Sequence, residues 1–396
     1  MGFVLCAVWP LWHECLGDDT HPDVVLHLSF FPMRVKRVAR LGRAMAAMLA
    51  CGLAACTTQL PPAPPAPARF QAAGRLVPPD RHFVMADGAV LPARVWAAPG
   101  RPRAVLLALH GFNDSRDAWE YPGPVLAAQG ITVVAPDQRG FGAAPGRGHW
   151  AGSQRMTADV REEVAVLARE NPGVPLYLAG ESMGGAVLMV LMAQPDAPHV
   201  AGTILLAPAV WRLGLGATVP LDILAGLSPD SVVTGRELPV HVVASNNIAA
   251  LIRLYYDPLS LRGTRLGTLR GLVQLMDEAA RAAPRLHGPV LCVYGGHDQL
   301  VPPEAMGQVW RSLGPAGRRD LVPGGYHLLL RDKGRALVER DLVAWITQPD
   351  WFLPSGGDSA ASAWLAQGRG EAWPGHWQFP WFLPARLDTL VGADNR

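Results

Sequence analysis

The sequence has few cysteines, few lysines and no large excess of charge of either sign. Its 396 residues include 5 cysteines and carry a net charge of +2, and lysine occurs only at Lys36 and Lys333. Four of the cysteines lie at or before position 56, and Cys292 follows alone, so the rest of the chain has no disulfide framework of the kind that stabilises many small secreted domains. The near-neutral charge, without an arginine stripe interleaved with aromatic residues, argues against nucleic acid as a partner.

Metal-ligand spacings are also missing. The histidines and aspartates are scattered, and the glycine-rich residues 214–217 lack the strand and lysine of a phosphate-binding loop. We therefore expect neither a metal nor a cofactor. With 49% hydrophobic and 17% charged residues, the chain has ample material for a globular core.

The amino-terminal region has the pattern of an export signal. Five basic residues at positions 34–43 precede a short apolar run, 44–55, which ends in Leu53-Ala54-Ala55-Cys56. The run is too short to span a membrane but suits a secretory signal. Its ending resembles a bacterial lipoprotein cleavage box, so we expect residues 1–55 to be a removed leader and Cys56 to be lipidated. An ordinary cleaved signal is the alternative.

Two further expectations follow from this leader. Residues 1–32 fit no part of the signal, so Met33 is the expected start, with the signal peptide at 33–55. Thr57, rather than aspartate, follows Cys56, which in Gram-negative lipoproteins indicates the outer membrane. We expect an exported, membrane-anchored protein on the periplasmic face of that membrane, and its oligomeric state is left open.

Composition divides the rest of the chain into three parts. The proline-rich residues 56–78 are expected to form an extended tether that holds the fold away from the membrane. Residues 79–349 are expected to form the folded domain. Residues 350–396 are expected to be an irregular, tryptophan-rich tail in which the stretch Trp-Phe-Leu-Pro occurs twice.

The folded domain alternates strand-like and helix-like segments. Asp87-Gly88 is a hairpin signal between two strands, and uniformly apolar runs are typical of parallel strands buried on both faces. The alternation stops at about 211–285, which we interpret as an inserted helical cap with amphipathic spacing. These features predict an α/β fold with a mostly parallel central sheet flanked by helices; the apolar runs are residues 104–108, 131–135, 176–179, 203–206 and 290–294.

A candidate nucleophile lies at a strand-to-helix junction. Residues 180–184 read Gly-Glu-Ser-Met-Gly, after the apolar run 176–179 and before a helix-like segment. Glycines allow the sharp turn that exposes a serine between a strand and a helix. A serine hydroxyl is weakly nucleophilic and needs a neighbouring base. Ser182 is therefore predicted to be the nucleophile of an acyl-transfer reaction.

The acid and the base follow Ser182 in the chain, as they do where this turn carries a serine nucleophile. Asp298 comes directly after the buried strand 290–294, and His327 lies in a glycine-rich loop before a helix. We predict that Asp298 orients His327. His297 is expected to point elsewhere, and His376 is a weak rival. The N–H groups of Met183 and Phe112 are the predicted oxyanion donors.

Several motifs in this order resemble the α/β-hydrolases, specifically their monoacylglycerol lipase and lysophospholipase-like branch of serine aminopeptidase S33 type. The resemblance covers roughly residues 79–347 and implies a triad of Ser182, Asp298 and His327 beneath an apolar cap. Glu181 departs from it, because monoacylglycerol lipases usually have histidine there. The motifs are His110-Gly111, DQRGFG at 137–142, GESMGG at 180–185, YYDPL at 255–259, GGHDQLVP at 295–302 and GGYH at 324–327.

The predicted function is a membrane-tethered serine hydrolase acting on esters of one fatty chain, such as monoacylglycerols or lysophospholipids. Leucines of the cap would supply an apolar pocket, with Tyr255 and Tyr256 as polar-tipped lining residues. The serine at position 182 excludes dehalogenases and epoxide hydrolases, which need an acid there. A short-chain esterase, an aminopeptidase and an acyltransferase remain alternatives. So does a non-catalytic lipoprotein that binds lipid or protein.

Overall fold

The central sheet has eight strands, in the order β1-β2-β4-β3-β5-β6-β9-β10. In the computed structural model, which describes residues 58–234, 242–314 and 316–368, each apolar run named above forms a strand. Strands β1 and β2 form an antiparallel hairpin, β2 is antiparallel to β4, and the other neighbours are parallel. The strands are β1 Arg81–Val84, β2 Val90–Trp96, β3 Ala104–Leu109, β4 Ile131–Pro136, β5 Leu176–Glu181, β6 Gly202–Leu206, β9 Val290–Gly295 and β10 Gly317–Val322.

Nine α-helices accompany the sheet within the described residues. Three 3₁₀ helices occur at Ala68–Gly74, Arg116–Trp119 and Ala283–Arg285. The helices are α1 Pro122–Ala128, α2 Ser153–Glu170, α3 Met183–Met192, α4 Leu215–Leu227, α5 Ile248–Tyr256, α6 Leu266–Ala282, α7 Pro303–Ser312, α8 Arg335–Thr347 and α9 Gly357–Ala366.

Apolar side chains form a core on each face of the sheet. On one face, Leu126 of α1 and Leu342 of α8 pack against strand residues such as Leu106. On the other face, α2, α3, α6, α7 and α9 pack around residues such as Leu107. Because both faces are covered, β3 is buried at every position, as its unbroken apolar sequence predicted. The α/β fold with a mostly parallel sheet is thus confirmed.

The cap is shorter than the sequence predicted. Leu272, Leu275 and Met276 of α6 are buried in the same core as α3, so α6 belongs to the main helical layer. The inserted part is therefore residues 211–265, with α4, α5 and a small antiparallel pair, β7 Val232–Val233 and β8 Thr264–Arg265. The prediction failed because α6 is amphipathic whether it covers a site or a sheet.

The expected tether is not extended at Ala68–Gly74, and residues 58–78 contact the folded domain instead of leading away from it. This segment contains the 3₁₀ turn Ala68–Gly74 and follows the cap surface. The Phe70 ring stacks on Tyr256 with ring centroids 5.9 Å apart, and the Arg253 guanidinium donates to the Ala73 carbonyl at 3.0 Å. An aromatic ring and carbonyl acceptors at these positions give the segment partners that its proline content alone does not reveal.

The expectation of an irregular tail was wrong for its first part. Helix α9 packs on β10, and the Trp364 ring lies edge-on to Trp310, with centroids 5.3 Å apart. Burial of Trp364 and Ala361 in the main core explains why this short helix forms. The leader 1–55, Cys56, His376, Trp373, Trp377 and Trp381 lie outside the described residues.

Candidate active site

Ser182 lies at the sharp turn between β5 and α3. Its backbone has φ of 51° and ψ of −112°, a conformation that a side-chain-bearing residue adopts only under strain. The turn is close-packed: a Cβ on Gly180 would lie 2.5 Å from the Gly184 carbonyl carbon, and one on Gly184 would lie 2.8 Å from the His110 oxygen. Both positions therefore require glycine, as the Gly-x-Ser-x-Gly pattern predicted.

Asp298 and His327 meet through a short hydrogen bond. His327 Nδ1 lies 2.8 Å from Asp298 Oδ2, and both side chains are almost fully buried. The second carboxylate oxygen, Oδ1, accepts the backbone N–H groups of Leu300 and Val301 at 2.7 and 3.0 Å. The loop after β9 thus fixes the orientation of the Asp298 carboxylate. The carboxylate in turn orients the His327 ring, whose Nε2 points away from Asp298.

The surroundings of His327 favour its protonated form. Burial alone would lower its pKa, but the charge and hydrogen bond of Asp298 and the carboxylates of Glu181 and Asp332 oppose this, and the net effect raises the pKa. A base with a raised pKa is well suited to take a proton and hold it while charge develops nearby.

The two predicted oxyanion donors lie on loops beside the serine. Met183 is the first residue of α3, so its N–H has no acceptor within the helix. The loop carrying Phe112 passes next to the serine, since a Cβ on Gly111 would lie 3.5 Å from Ser182 Cβ. The Phe112 ring packs edge-on against Phe141, with centroids 5.5 Å apart.

His110 holds this loop in place. Its Nε2 accepts the Gln138 backbone N–H at 2.9 Å, and its Nδ1 lies 2.7 Å from the Gly111 carbonyl. The imidazole is completely buried, which lowers its pKa and favours the neutral ring. A neutral ring protonated at Nδ1 satisfies both contacts. His110 is therefore a positioning residue, whose role the sequence analysis left unassigned.

A buried charge cluster lies next to the serine and was not predicted. Arg331, four residues after His327, donates to Asp114 Oδ2 at 2.6 Å, and both residues are buried. Glu181 is 3% exposed, and its Oε1 has no hydrogen-bond partner within the described residues. Burial raises the pKa of Glu181 to about 7, against the opposing charge of Arg331. Glu181 was noted from the sequence only as a departure from the family pattern.

The predicted pocket residues have other contacts. Tyr256 stacks on Phe70, Tyr255 lies edge-on to Tyr256, and the Arg262 guanidinium lies over the Tyr255 ring at 5.3 Å. The prediction that both line the substrate pocket gains no support, because the Tyr256 ring packs on Phe70 of the amino-terminal segment.

Other candidate groups are accounted for. The His297 ring packs edge-on against Tyr326, with centroids 5.5 Å apart, rather than pairing with Asp298. Cys292 is fully buried, and burial raises the pKa of its thiol to about 12, which leaves it unreactive. Within the described ranges, no group of three or more His, Cys, Asp or Glu side chains could hold a metal ion. Over the same ranges, no helix is long and apolar enough to cross a bilayer.

Comparison with known proteins places this site among ester-cleaving enzymes. Human monoglyceride lipase is 27% identical over 275 residues, which are 67% of this chain and 90% of that protein. The monoacylglycerol lipase of Mycolicibacterium smegmatis is 26% identical over 281 residues, which are 67% of this chain and 96% of that protein.

Solved structures share the fold. A soluble variant of monoglyceride lipase from Saccharomyces cerevisiae, in complex with a substrate analogue, aligns with a TM-score of 0.59 at 20% identity and covers 69% of this chain and 96% of its own. The monoacylglycerol lipase of Paleococcus ferrophilus aligns with a TM-score of 0.55 at 22% identity, over 65% of this chain and 98% of its own. A family comparison matches residues 100–334 to the family described as serine aminopeptidase, S33. The chain belongs to this serine aminopeptidase S33 family and has its α/β-hydrolase fold.

Proposed function

We propose that this protein is a serine hydrolase that cleaves carboxylic esters of the monoacylglycerol type through an acyl-enzyme on Ser182. The observation that carries the proposal is the 2.8 Å contact between His327 Nδ1 and Asp298 Oδ2, in a fold whose strained turn presents Ser182. The relatives named as monoglyceride lipases support the ester class. A histidine oriented by a carboxylate is the base that a serine nucleophile requires.

The residues act in a defined order in this proposal. His327 Nε2 removes the Ser182 proton as Oγ attacks the ester carbonyl, and Asp298 stabilises the imidazolium that forms. The N–H groups of Met183 and Phe112 donate to the oxyanion. The tetrahedral intermediate then collapses, and His327 gives its proton to the departing alcohol. Water, activated by the same imidazole, releases the fatty acid and restores Ser182.

Labelling with a fluorophosphonate tests the nucleophile directly. This probe phosphonylates an activated serine, so mass spectrometry should find the adduct on the peptide containing Ser182. The Ser182→Ala chain should remain unlabelled. A wild-type chain that folds but takes up no label would contradict the proposal and favour the non-catalytic binding protein considered above.

We also propose that the chain is exported and anchored by lipid at Cys56. The support is the sequence of residues 33–56 alone. Mass spectrometry of the mature amino terminus tests it: an acylated Cys56 is expected, and any unmodified first residue contradicts the lipoprotein proposal.

A further inference from the structure

Residues 110–117, the oxyanion loop, carry Phe112, and the main domain, which is the fold without the inserted cap, fixes the peptide unit that presents its N–H. The carbonyl of this unit belongs to Gly111 and lies 2.7 Å from His110 Nδ1. Because the C=O and N–H of a trans peptide point in opposite directions, this contact also sets the direction of the Phe112 N–H. The side chain of Gln138 donates to the His110 carbonyl at 2.7 Å, so the loop after β4 holds the residues before Phe112.

The residue after Phe112, Asn113, is held by the inserted cap. Its backbone carbonyl accepts the Leu261 N–H at 2.8 Å, and its side-chain Nδ2 donates to Thr264 Oγ1 at 2.8 Å. Leu261 and Thr264 both belong to the cap, and Thr264 is buried on β8. Phe112 therefore lies between residues held by the main domain and a residue held by the cap.

The backbone of Asn113 has a conformation that favours this residue type. Its φ is 60°, in the left-handed region, which glycine and asparagine adopt more readily than other residues. Glycine would adopt the same φ, but it would lose the bond to Thr264 and gain conformational freedom. Asparagine thus both forms the turn and ties it to the cap.

The cap side of this contact is itself fixed. Thr264 pairs with Val233 in the antiparallel strands β7 and β8. The guanidinium of Arg265 donates to the Thr58 carbonyl at 2.8 Å and to the Asp230 carbonyl at 3.1 Å. These bonds tie β8 to the amino-terminal segment and to the loop after α4, so the Thr264 hydroxyl has a defined position.

Contacts with the cap continue along the oxyanion loop. Ser115 Oγ donates to Asp257 Oδ2 at 3.3 Å, and Arg253 Nη2 donates to Asp117 Oδ2 at 2.7 Å. Arg253 lies on α5, and Asp257 directly follows this helix. Of the three loop residues in these contacts, Asn113 is next to the proposed oxyanion donor, so its contact bears most directly on the reaction.

We propose that Asn113 is a positioning residue, through which the cap keeps the Phe112 N–H directed at the oxyanion. The proposal rests on the proposed hydrolase function and adds to it a residue that acts through Phe112. A displacement of about 1 Å in a catalytic group can lower the rate by up to about 10²-fold. Loss of the bond between Asn113 and Thr264 should therefore lower kcat and leave substrate binding unchanged, since the oxyanion forms only as the ester is attacked.

Four variants test this contact through kcat and KM toward para-nitrophenyl butyrate. Asn113→Gly and Thr264→Val each remove the side-chain hydrogen bond, and kcat should fall about tenfold while KM stays within about twofold of wild type. Thr264→Ser keeps the hydroxyl and should retain most of the wild-type kcat. The matched control, Thr268→Val, removes an equally buried hydroxyl that donates to the Gly148 carbonyl at 2.8 Å, and its kcat should stay within about twofold of wild type.

A double-variant cycle separates positioning from a merely structural role. Phe112→Pro removes the N–H that Asn113 positions, so adding Asn113→Gly to that chain should change kcat by less than about twofold. The same substitution in the wild-type chain should cost about tenfold. A loss of about tenfold in both backgrounds would overturn the proposal, and so would equal kcat values for Thr264→Ser and Thr264→Val.

Labelling with a fluorophosphonate distinguishes failure of this proposal from failure of the hydrolase function. Thermal unfolding first establishes that each compared chain is folded. A wild-type chain that hydrolyses the ester and is labelled at Ser182, with kcat unchanged in Asn113→Gly and Thr264→Val, contradicts the role of Asn113 alone. A folded wild-type chain that neither labels nor hydrolyses contradicts the hydrolase function, and this proposal with it.

Discussion

The imidazole of His327 is held by Asp298, and both oxygens of that carboxylate are engaged. Oδ2 lies 2.8 Å from His327 Nδ1, and Oδ1 accepts two backbone N–H groups of the loop after β9. This geometry leaves the carboxylate one orientation, and so it leaves the imidazole one tautomer, with Nδ1 protonated and Nε2 able to accept a proton.

Asp298→Asn should abolish most of the activity without unfolding the protein. An asparagine that donates its amide to Nδ1 stabilises the wrong tautomer and leaves no charge to balance the imidazolium. We expect kcat for a para-nitrophenyl ester to fall about 10⁴-fold. Circular dichroism and thermal unfolding give the control. A fall of less than tenfold in a folded variant would remove Asp298 from the proposed triad.

Glu181→Gln should move the pH profile to lower pH. The groups facing Glu181 are Arg331, Asp114, His327 and Asp332, and its ionised carboxylate contributes to the raised pKa of His327. Glutamine is neutral at every pH, so the pKa of His327 should fall, and the base should stay unprotonated to lower pH. The acidic limb of kcat/KM, which reports the free enzyme, should shift to lower pH.

Glu163→Gln provides the matched control for this shift. Glu163 is also buried, and burial also raises its pKa, but its charged neighbours are Asp159, Arg81 and Glu162 rather than His327. Its replacement should leave the acidic limb in place. If both variants shift the limb equally, or neither does, then Glu181 does not act on His327.

Phe112 is assigned to the oxyanion hole through its backbone N–H, not through its ring. Two substitutions separate the effect of the N–H from that of the ring. Phe112→Pro removes the N–H and should lower kcat about 10²- to 10³-fold, the usual effect of losing one oxyanion donor. Phe112→Ala keeps the N–H and loses the packing of the ring, including its contact with Phe141. Its kcat should exceed that of the proline variant at least about tenfold. Similar kcat values in the two folded variants would show that this N–H donates nothing to the reaction.

Asp320 on β10 should make the protein less stable as the pH rises. It is fully buried, no hydrogen-bond partner for either oxygen occurs in the described residues, and burial with the charges of Asp341 and Asp358 raises its pKa to about 7. The folded state therefore holds a proton that the unfolded state releases near pH 4. The contribution of protonated Asp320 is present at low pH and is lost as the pH approaches and passes 7.

Asp320→Asn removes this titration. The free energy of unfolding of the wild type, relative to the variant, should fall between pH 5 and pH 8, by about 3 kcal/mol at most. Urea unfolding of both proteins at the two pH values measures it. A difference between the two proteins that does not change with pH would show that Asp320 ionises normally in the folded state.

The sheet and the Asp298–His327 pair could be predicted from the sequence because each depends on local patterns. Unbroken apolar runs identify strands buried on both faces, and Gly180 and Gly184 are required by contacts inside one turn. The chain order of serine, acid and histidine then placed Asp298 at the end of β9.

Features that depend on distant partners could not be predicted in this way. The proline-rich segment gains its position from Arg253 and Tyr256, which lie about 180 residues away in the chain. Helix α9 forms because Trp364 fits between Tyr294 and Trp310. The charge cluster joins Asp114 to Arg331 across 217 positions. No spacing in a single sequence reveals these contacts.

Hydrolysis of a chain-length series of monoacylglycerols and para-nitrophenyl esters, by the wild-type chain and by Ser182→Ala, tests the central claim most directly. Activity should be greatest with medium or long acyl chains and should disappear in the variant. Activity that survives in Ser182→Ala would contradict the proposed nucleophile. Activity confined to short esters would contradict the monoacylglycerol assignment and indicate a general esterase.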